Sequence, residues 1–336
     1  MTALSVLNPT LLDYAKALDP NGNIAALVEI LNQDNEILDD MTFMQGNLPT
    51  GHRVSVRSGI PAPTWRKLYG GVQPTKSRRV QVTESCGMLE AYAEVDKALA
   101  DLNGNTNAFR LSEDRAHIEG MNQEVASSIF YANEKTSPEE ITGLAPRFDH
   151  TAAENGQNIL TGSGSANNTS IWLIVWSPET VYGIVPKGSQ TGLQMRDLGE
   201  VTIENADGSN GRMQAYRTHY RWDLGLCVAD WRYVVRIANI NVANLTKDAS
   251  GSSADLITLM IKATELVQGL GMGRPAFYCN RTIKTFLRLQ MLNKSNVNLT
   301  LEQFNRAGTM RNVLAFDGIP IRRCDAILNS ESTVGA

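Results

Sequence analysis

A chain of 336 residues with 42% hydrophobic and 20% charged residues has an ordinary globular composition and room for about two domains, which excludes disorder as its default state. Its net charge of −4 argues against a protein whose whole surface grips nucleic acid, while leaving room for a local basic patch. The N-terminus, MTALSVLNPTLLDYAKAL, lacks the basic start and long apolar run of a signal peptide. The most apolar run, IWLIVW at 171–176, is far shorter than the roughly 20 residues that cross a bilayer. The expectation is a soluble chain made in a cytoplasm, with no membrane partner.

Asn8-Pro9 opens a short amphipathic helix: an Asn cap, Pro at the first helical position, then Leu11, Leu12, Ala15 and Leu18 on one face. Asn23 caps a second, with Ile24, Leu27, Val28 and Leu31 in register. Together they read as an arm of short helices ahead of the globular part.

The stretch 53–84, RVSVRSGIPAPTWRKLYGGVQPTKSRRVQVTE, reads as a long hairpin. Val54 and Val56 alternate outward, Val80 and Val82 alternate back, and Gly59, Pro61, Pro63, Gly70, Gly71 and Pro74 break regular structure between them. Arg53, Arg57, Arg66, Lys67, Lys76, Arg78 and Arg79 are basic, Glu84 is the only acid, and Trp65 and Tyr69 sit near the tip.

MLEAYAEVDK (88–97) has helical composition, but Leu89, Ala91, Ala93 and Val95 alternate with acids, and a half-buried strand is the preferred reading. A long helix follows, with Ser112 as its cap, Glu113 and Asp114 in its first turn, and Ile118, Met121, Val125, Ser128 and Ile129 on its apolar face to about Tyr131. Gly120 is its weak spot. Ser137-Pro138-Glu139-Glu140 reads as the start of a further helix. Residues 155–170 read as a flexible polar loop.

From 171 the pattern is β: IWLIVW, TVYGIV, GEVTIE, a turn at Asp207-Gly208, then MQAYRTHYRW, LGLCVAD and WRYVVRIANI. A helix over 254–268 is capped by Ser252 or Ser253 and closed by Gly269 and Gly271. AFYCN is a short strand leading straight into the helix RTIKTFLRLQM, and FDGIPIRRCDAIL (316–328) is strand–turn–strand. The order of elements gives an α+β fold rather than a βαβ array.

Residues that carry chemistry are scarce. His52, His117, His150 and His219 sit in no HExxH, HxH or Cys/His cluster and read as surface or strand residues. TGSGSAN (161–167) lacks the GK[ST] of a phosphate loop, and GLGMGRP (269–275) follows a helix instead of opening one. Cys86, Cys227, Cys279 and Cys324 are scattered without a CxxC pair. Two disulfides are compatible with the count, but a reducing compartment and buried small hydrophobes fit better. The expectation is no catalytic residue, no cofactor, no metal and no enzyme.

The hairpin can be a solvated surface loop, a nucleic-acid-binding arm or a docking arm. Each side of about 15 residues spans roughly 50 Å at about 3.3 Å per residue, against a radius of gyration of roughly 20 Å for a globule of this length. An isolated hairpin is marginal in water, so a neighbouring subunit is the natural surface for it.

In the order of these parts the chain resembles the major capsid proteins of tailed bacteriophages with the Hong Kong 97 (HK97-like) fold, most of all those of epsilon15-type short-tailed phages. RPAFYCNRTIKTFLRLQM (274–291) resembles the family's strand–Asn–helix unit. FDGIPIRRCDAIL resembles its last strand pair, and the helix ending before Ile141-Thr142-Gly143-Leu144 resembles the end of its spine helix.

The resemblance implies an N-terminal arm at 1–45, an extension loop at 46–84, and a peripheral domain at 85–156 with a spine helix at about 107–136. It implies an axial domain at 157–315 and a C-terminal strand pair at 316–336. It also implies a structural protein that self-assembles into an icosahedral shell around packaged DNA. Contacts between subunits would run through Arg57, Trp65, Arg66, Lys67, Tyr69, Arg78 and Arg79 of the loop and Leu11, Leu12, Leu27 and Leu31 of the arm. Partners would be many copies of itself in hexamers and pentamers, with portal, scaffolding and decoration proteins and weakly held DNA. The location would be the virion, and the host cytoplasm during assembly. No acidic pro-segment precedes the arm, which implies no large cleaved scaffolding domain. Some relatives crosslink a loop lysine to an asparagine of the next subunit. Lys67 and Lys76 lie in the loop, but no motif marks either. The alternatives are a nucleic-acid-binding protein using the basic 53–79 hairpin, or a non-viral nanocompartment shell of the same fold.

Overall fold

The computed structural model of the chain describes residues 33–162, 164–204, 211–245, 255–291, 299–306 and 309–335. In chain order the first elements are α1 (Ile37–Asp40), β1 (Phe43–Gln45), β2 (Gly51–Gly59), β3 (Arg78–Ser85), β4 (Gly87–Asp96), α2 (Lys97–Ala100) and α3 (Thr106–Tyr131). Then come β5 (Ile159–Thr161), β6 (Asn168–Trp176), β7 (Val181–Val185), β8 (Gln194–Glu204), β9 (Arg212–Val228) and β10 (Val234–Asn241). The last are α4 (Leu256–Leu266), β11 (Arg274–Cys279), α5 (Arg281–Gln290), β12 (Leu299–Arg306), β13 (Thr309–Phe316) and β14 (Ile319–Arg323). Helices and sheets segregate as an α+β fold.

The described residues fall into two units, a smaller one of Gln33, Met88–Val125 and Gln190–Asp223, and a larger one of Asp34–Gly87, Ala126–Ser189 and Leu224–Gly335. In the larger unit the strands run β12-β13-β14-β11-β6-β7, continued by the end of β9, and β10 and β5 pair at the side of β6. Every residue of β6 is buried, on both faces, which is why its sequence reads as an unbroken apolar run instead of an alternation. Ile171, Leu173 and Val175 face a core shared with Val235 and Ile237, Leu256 and Met260 of α4, and Ile283 and Leu287 of α5. On the other face Trp172 meets Phe130 at 6.0 Å and Phe148 at 6.1 Å between ring centroids.

The strand–Asn–helix segment has a local physical basis. Asn280 accepts a hydrogen bond from Ile283 N at 2.9 Å, capping α5, while its amide donates to Thr169 Oγ1 of β6 at 2.9 Å. One side chain thus starts a helix and fixes it to the central strand. At the closing hairpin, Asp317 (φ 47) and Gly318 (φ 77) are both left-handed, the geometry that an Asp-Gly turn between twisted strands requires. Residues 324–335 form no strand of their own. Glu331 N donates to Asn168 O at 2.9 Å, and its carboxylate pairs with buried Arg236 at 3.0 Å.

In the smaller unit β8, β9 and β4 form a sheet. Ala93 of β4, Met121 of α3 and Tyr220 of β9 pack together between sheet and helix. The expected strand at 88–97 is therefore a strand, with its odd-numbered residues turned to the helix. Gly120, in the middle of α3, costs about 0.5–1 kcal/mol relative to alanine, yet a Cβ built there would meet nothing within 4 Å.

Several expectations need correction. The long helix begins at Thr106, so Ser112 lies inside it and caps nothing. Phe109 drives the earlier start by burying itself against Val95, Leu99 and Ala100. Ser137-Pro138 starts a turn and no helix: Glu140 N donates to Ser137 O at 3.0 Å, and Gly143 N then returns to Ala132 O at 2.8 Å at the end of α3. The expected loop at 155–170 contains β5, which pairs in parallel with β10. Asp255 caps α4 by accepting from Thr258 N; Ser252 and Ser253 lie outside the described residues, as do the turn at Asp207-Gly208 and the two N-terminal helices.

Candidate functional site

Among the described strands, two extended segments, β2 and β3, pair only with each other. Their register sets His52 opposite Glu84, Val54 opposite Val82 and Val56 opposite Val80 on one face. On the other face Arg53 is opposite Thr83, Ser55 opposite Gln81, and Arg57 opposite Arg79. The ribbon therefore has an apolar side and a basic side. A bulge between Arg57 and Gly59 ends the regular pairing, leaving Gly59 opposite Arg78, and no helix or strand spans residues 60–77.

The root is built into the larger unit. Glu84 is buried and receives two hydrogen bonds of 2.6 Å from the guanidinium of Arg147, which also donates to the carbonyls of Thr142 and Gly143. Such a fork-to-fork pair is among the stronger polar contacts available to a protein. Val54 packs on Tyr182, Ile184 and Cys227. Gly51 allows the strands to close, since a Cβ there would lie 2.0 Å from Glu84 O. Ahead of the root, residues 34–45 are also held: Asn35 Oδ1 accepts from Ala326 N at 3.1 Å, Asp40 pairs with Arg322 at 3.0 Å, and β1 lies parallel to β7.

Beyond the root nothing is buried. From Ser55 to Thr83 no described side chain is buried. Val80 and Val82 are 51% and 37% exposed, although they continue the face that packs inward at Val54. At the tip Gly70 N donates to Lys67 O, Arg66 Nε donates to Gly70 O at 3.0 Å, and Tyr69 takes a left-handed conformation (φ 61). That is uncommon for a bulky side chain and has an energetic cost. Trp65 and Tyr69 are fully exposed.

Of the residues singled out in the sequence, Arg57, Arg78 and Arg79 lie at the outer end of the ribbon, and Trp65, Arg66, Lys67 and Tyr69 at its tip. Among the described residues none of the arm's seven cations forms an ion pair, and Arg57 faces Arg79 directly, a destabilising arrangement unless an anion joins it. Leu11, Leu12, Leu27 and Leu31 lie outside the described residues. The sequence reading missed Ile60 and Leu68, which are 86% and 91% exposed, and the Glu84 clamp. That glutamate stood out as the arm's only acid, which was the available signal.

Elsewhere the chemistry stays dispersed. His52 edges onto Tyr182, His219 stacks on Tyr92, and His117 stacks on Tyr220. Among the described residues no group of three or more His, Cys, Asp or Glu could hold a metal, and no helix is long and apolar enough to cross a membrane. None of the four cysteines is joined in a disulfide. Burial pushes the thiols of Cys279 and Cys324 up to about 12 and that of Cys227 to about 11, which suppresses the nucleophilic thiolate.

The family described as major capsid protein GP7 matches residues 19–335. A chain of the near-atomic structure of bacteriophage Epsilon15 is 38% identical, with 100% of both chains covered and a TM-score of 0.78. The SrpI encapsulin complex of Synechococcus elongatus PCC 7942 matches at 12% identity, 68% of this chain and 96% of that one, with a TM-score of 0.44. The capsid of bacteriophage JBD30 matches at 10% identity, 96% and 99% coverage and a TM-score of 0.46. No curated protein matches.

Proposed function

Since the chain belongs to the major capsid protein GP7 family, and is thus a structural, HK97-like phage shell protein present in the virion in many copies, we propose that its basic arm is the contact by which one copy holds the next. The observation that carries this is the valine face. It packs inward at the root and continues apolar past the edge of its own core, with Trp65 and Tyr69 exposed at the end. A ribbon with one apolar side, unpaired cations and aromatic anchors gains order by lying on a partner.

On this reading 46–84 is an extension loop, 85–156 a peripheral domain with α3 as its spine, 157–315 an axial domain and 316–336 the closing segment. The arm at 1–45, with Leu11, Leu12, Leu27 and Leu31, crosses a neighbour as well. Arg57, Arg66, Lys67, Arg78 and Arg79 pair with acids of the adjacent copy. Hexamers and pentamers close an icosahedral shell, held by many weak contacts acting at once. Assembly takes place in the host cytoplasm with portal and scaffolding proteins, a decoration protein adds to the outside, and packaged DNA touches the inside weakly. The role is structural and involves no turnover.

Deleting 57–78 tests it. The expected product is a soluble folded subunit that forms no shells in negative-stain micrographs, and normal shells from that deletion would end the proposal.

A further inference from the structure

The smaller unit carries a groove that its own packing does not account for. Between β4 and α3 lies an open space of about 340 Å³, lined by Ala91, Ala116, Gly120 and Met121 and flanked by Glu124 and by Glu90, which already pairs with His219 and Arg221. Among the described residues nothing requires glycine at 120: a Cβ there would touch none of their atoms within 4 Å, and glycine weakens a helix interior. Ala116 lies one turn earlier, so two small residues at i and i+4 leave the helix surface low at this point. Glu124 is exposed and forms no ion pair among the described residues.

The arm's tip is the complement of this groove. WRKLY (65–69) offers Trp65 and Tyr69, each 102% exposed, and Leu68, 91% exposed, with Arg66 and Lys67 between them. Large aromatic side chains dominate interface energetics when they enter a pocket, and the intervening cations suit the exposed Glu124 carboxylate. We propose that the tip of one copy seats Trp65 in the Ala116–Gly120 groove of a second copy, with Lys67 or Arg66 against Glu124. This rests on the arm being the contact between copies and adds where it lands.

Two experiments on assembled full-length protein test the assignment. Shells of Trp65→Cys/Gly120→Cys subunits, treated with a short bis-maleimide, should yield a ladder of covalent oligomers on denaturing gels, and shells of either single variant should not. Normal shells without a ladder overturn the proposal. A link from Gly120→Cys to Leu27→Cys, and not to Trp65→Cys, gives the groove to the N-terminal segment and overturns it equally.

Charge reversal covers the case in which the double variant does not assemble. Glu124→Lys should lower the denaturant concentration at which shells come apart, and Lys67→Glu or Arg66→Glu added to it should restore that midpoint. Wild-type midpoints for Glu124→Lys, or no restoration, remove the groove. The wider reading fails separately: weaker shells with Trp65→Ala alongside unaffected Glu124→Lys shells leave the arm as the contact. Normal assembly after deletion of 57–78 removes both.

Discussion

Strand β6 and the β2–β3 ribbon are both extended chain rich in β-branched residues, and their environments are opposite. β6 buries all of its residues, whereas β3 exposes its residues up to Glu84. The first is stabilised by the core around it. The second is held at its root by Glu84, Val54 and Gly51, with His52 on Tyr182 and two hydrogen bonds between Asn47 and the Arg53 backbone, and no described side chain from Ser55 to Thr83 is buried. Strand character therefore says little about where stability resides. The buried apolar surface that stabilises the fold is concentrated around β6, and the arm's apolar residues stay exposed.

The comparison breaks most readily at two tryptophans. Trp172 is fully buried and touches Phe130 and Phe148, with the Arg236 guanidinium 5.0 Å above its ring. Trp172→Ala should cost about 3–5 kcal/mol, as for large aromatic truncations in cores, read as a shift in the denaturant midpoint of the isolated subunit. Trp65→Ala should change that midpoint by no more than about 0.5 kcal/mol while weakening shells. Equal losses at the two sites would erase the distinction.

Next in size is the root. Arg147→Ala strands a buried carboxylate, and removing one partner of such a pair costs about 3 kcal/mol. Protease cutting within 60–77 should also accelerate, since the ribbon loses its clamp. An unchanged cutting rate would mean that Val54 and Gly51 hold the root unaided.

Legibility in the sequence follows the same division. β6, the strand–Asn–helix unit and the Asp-Gly turn were readable because each rests on local chemistry: an unbroken apolar run, a side-chain cap, a left-handed turn. The arm was readable because its residues obey alternation while offering no core. What was not readable depends on distant partners. Thr106 starts the long helix because Phe109 packs on Val95 and Leu99, which overrides the local cap signal at Ser112. β5 exists because Ile159, Leu160 and Thr161 pair with Arg236, Ile237 and Ala238, more than seventy residues on. Arg147, the partner of Glu84, lies 63 residues away, and no spacing announces it. The groove at Gly120 was visible only as a weak spot in a helix, because its meaning needs β4 beside it.

Gly120→Ala sharpens the comparison with the opposite sign. An exposed helix glycine replaced by alanine should stabilise the isolated subunit by about 0.5–1 kcal/mol, since the new methyl has open space. Destabilisation would show that the helix there is tighter than its geometry indicates.

The smallest expected effect comes from an exposed polar contact, which belongs to neither extreme. Asp197 accepts from Gly199 N at 2.8 Å and from Arg110 at 2.7 Å, and these two contacts hold its carboxyl below the ordinary value. A depressed folded-state value means that the contribution is complete above the unfolded value of about 3.9 and is lost as pH falls below it through the folded value. The carboxylate is 51% exposed, so screening limits the contribution to a few tenths of a kcal/mol. Asp197→Asn should therefore match the parent protein at low pH, where both are uncharged, and fall slightly below it at neutral pH. Salt should narrow that gap, whereas it should leave the cost of Trp172→Ala nearly unchanged, because that cost is mostly lost packing and the Arg236 charge beside the ring is buried, where salt screens little.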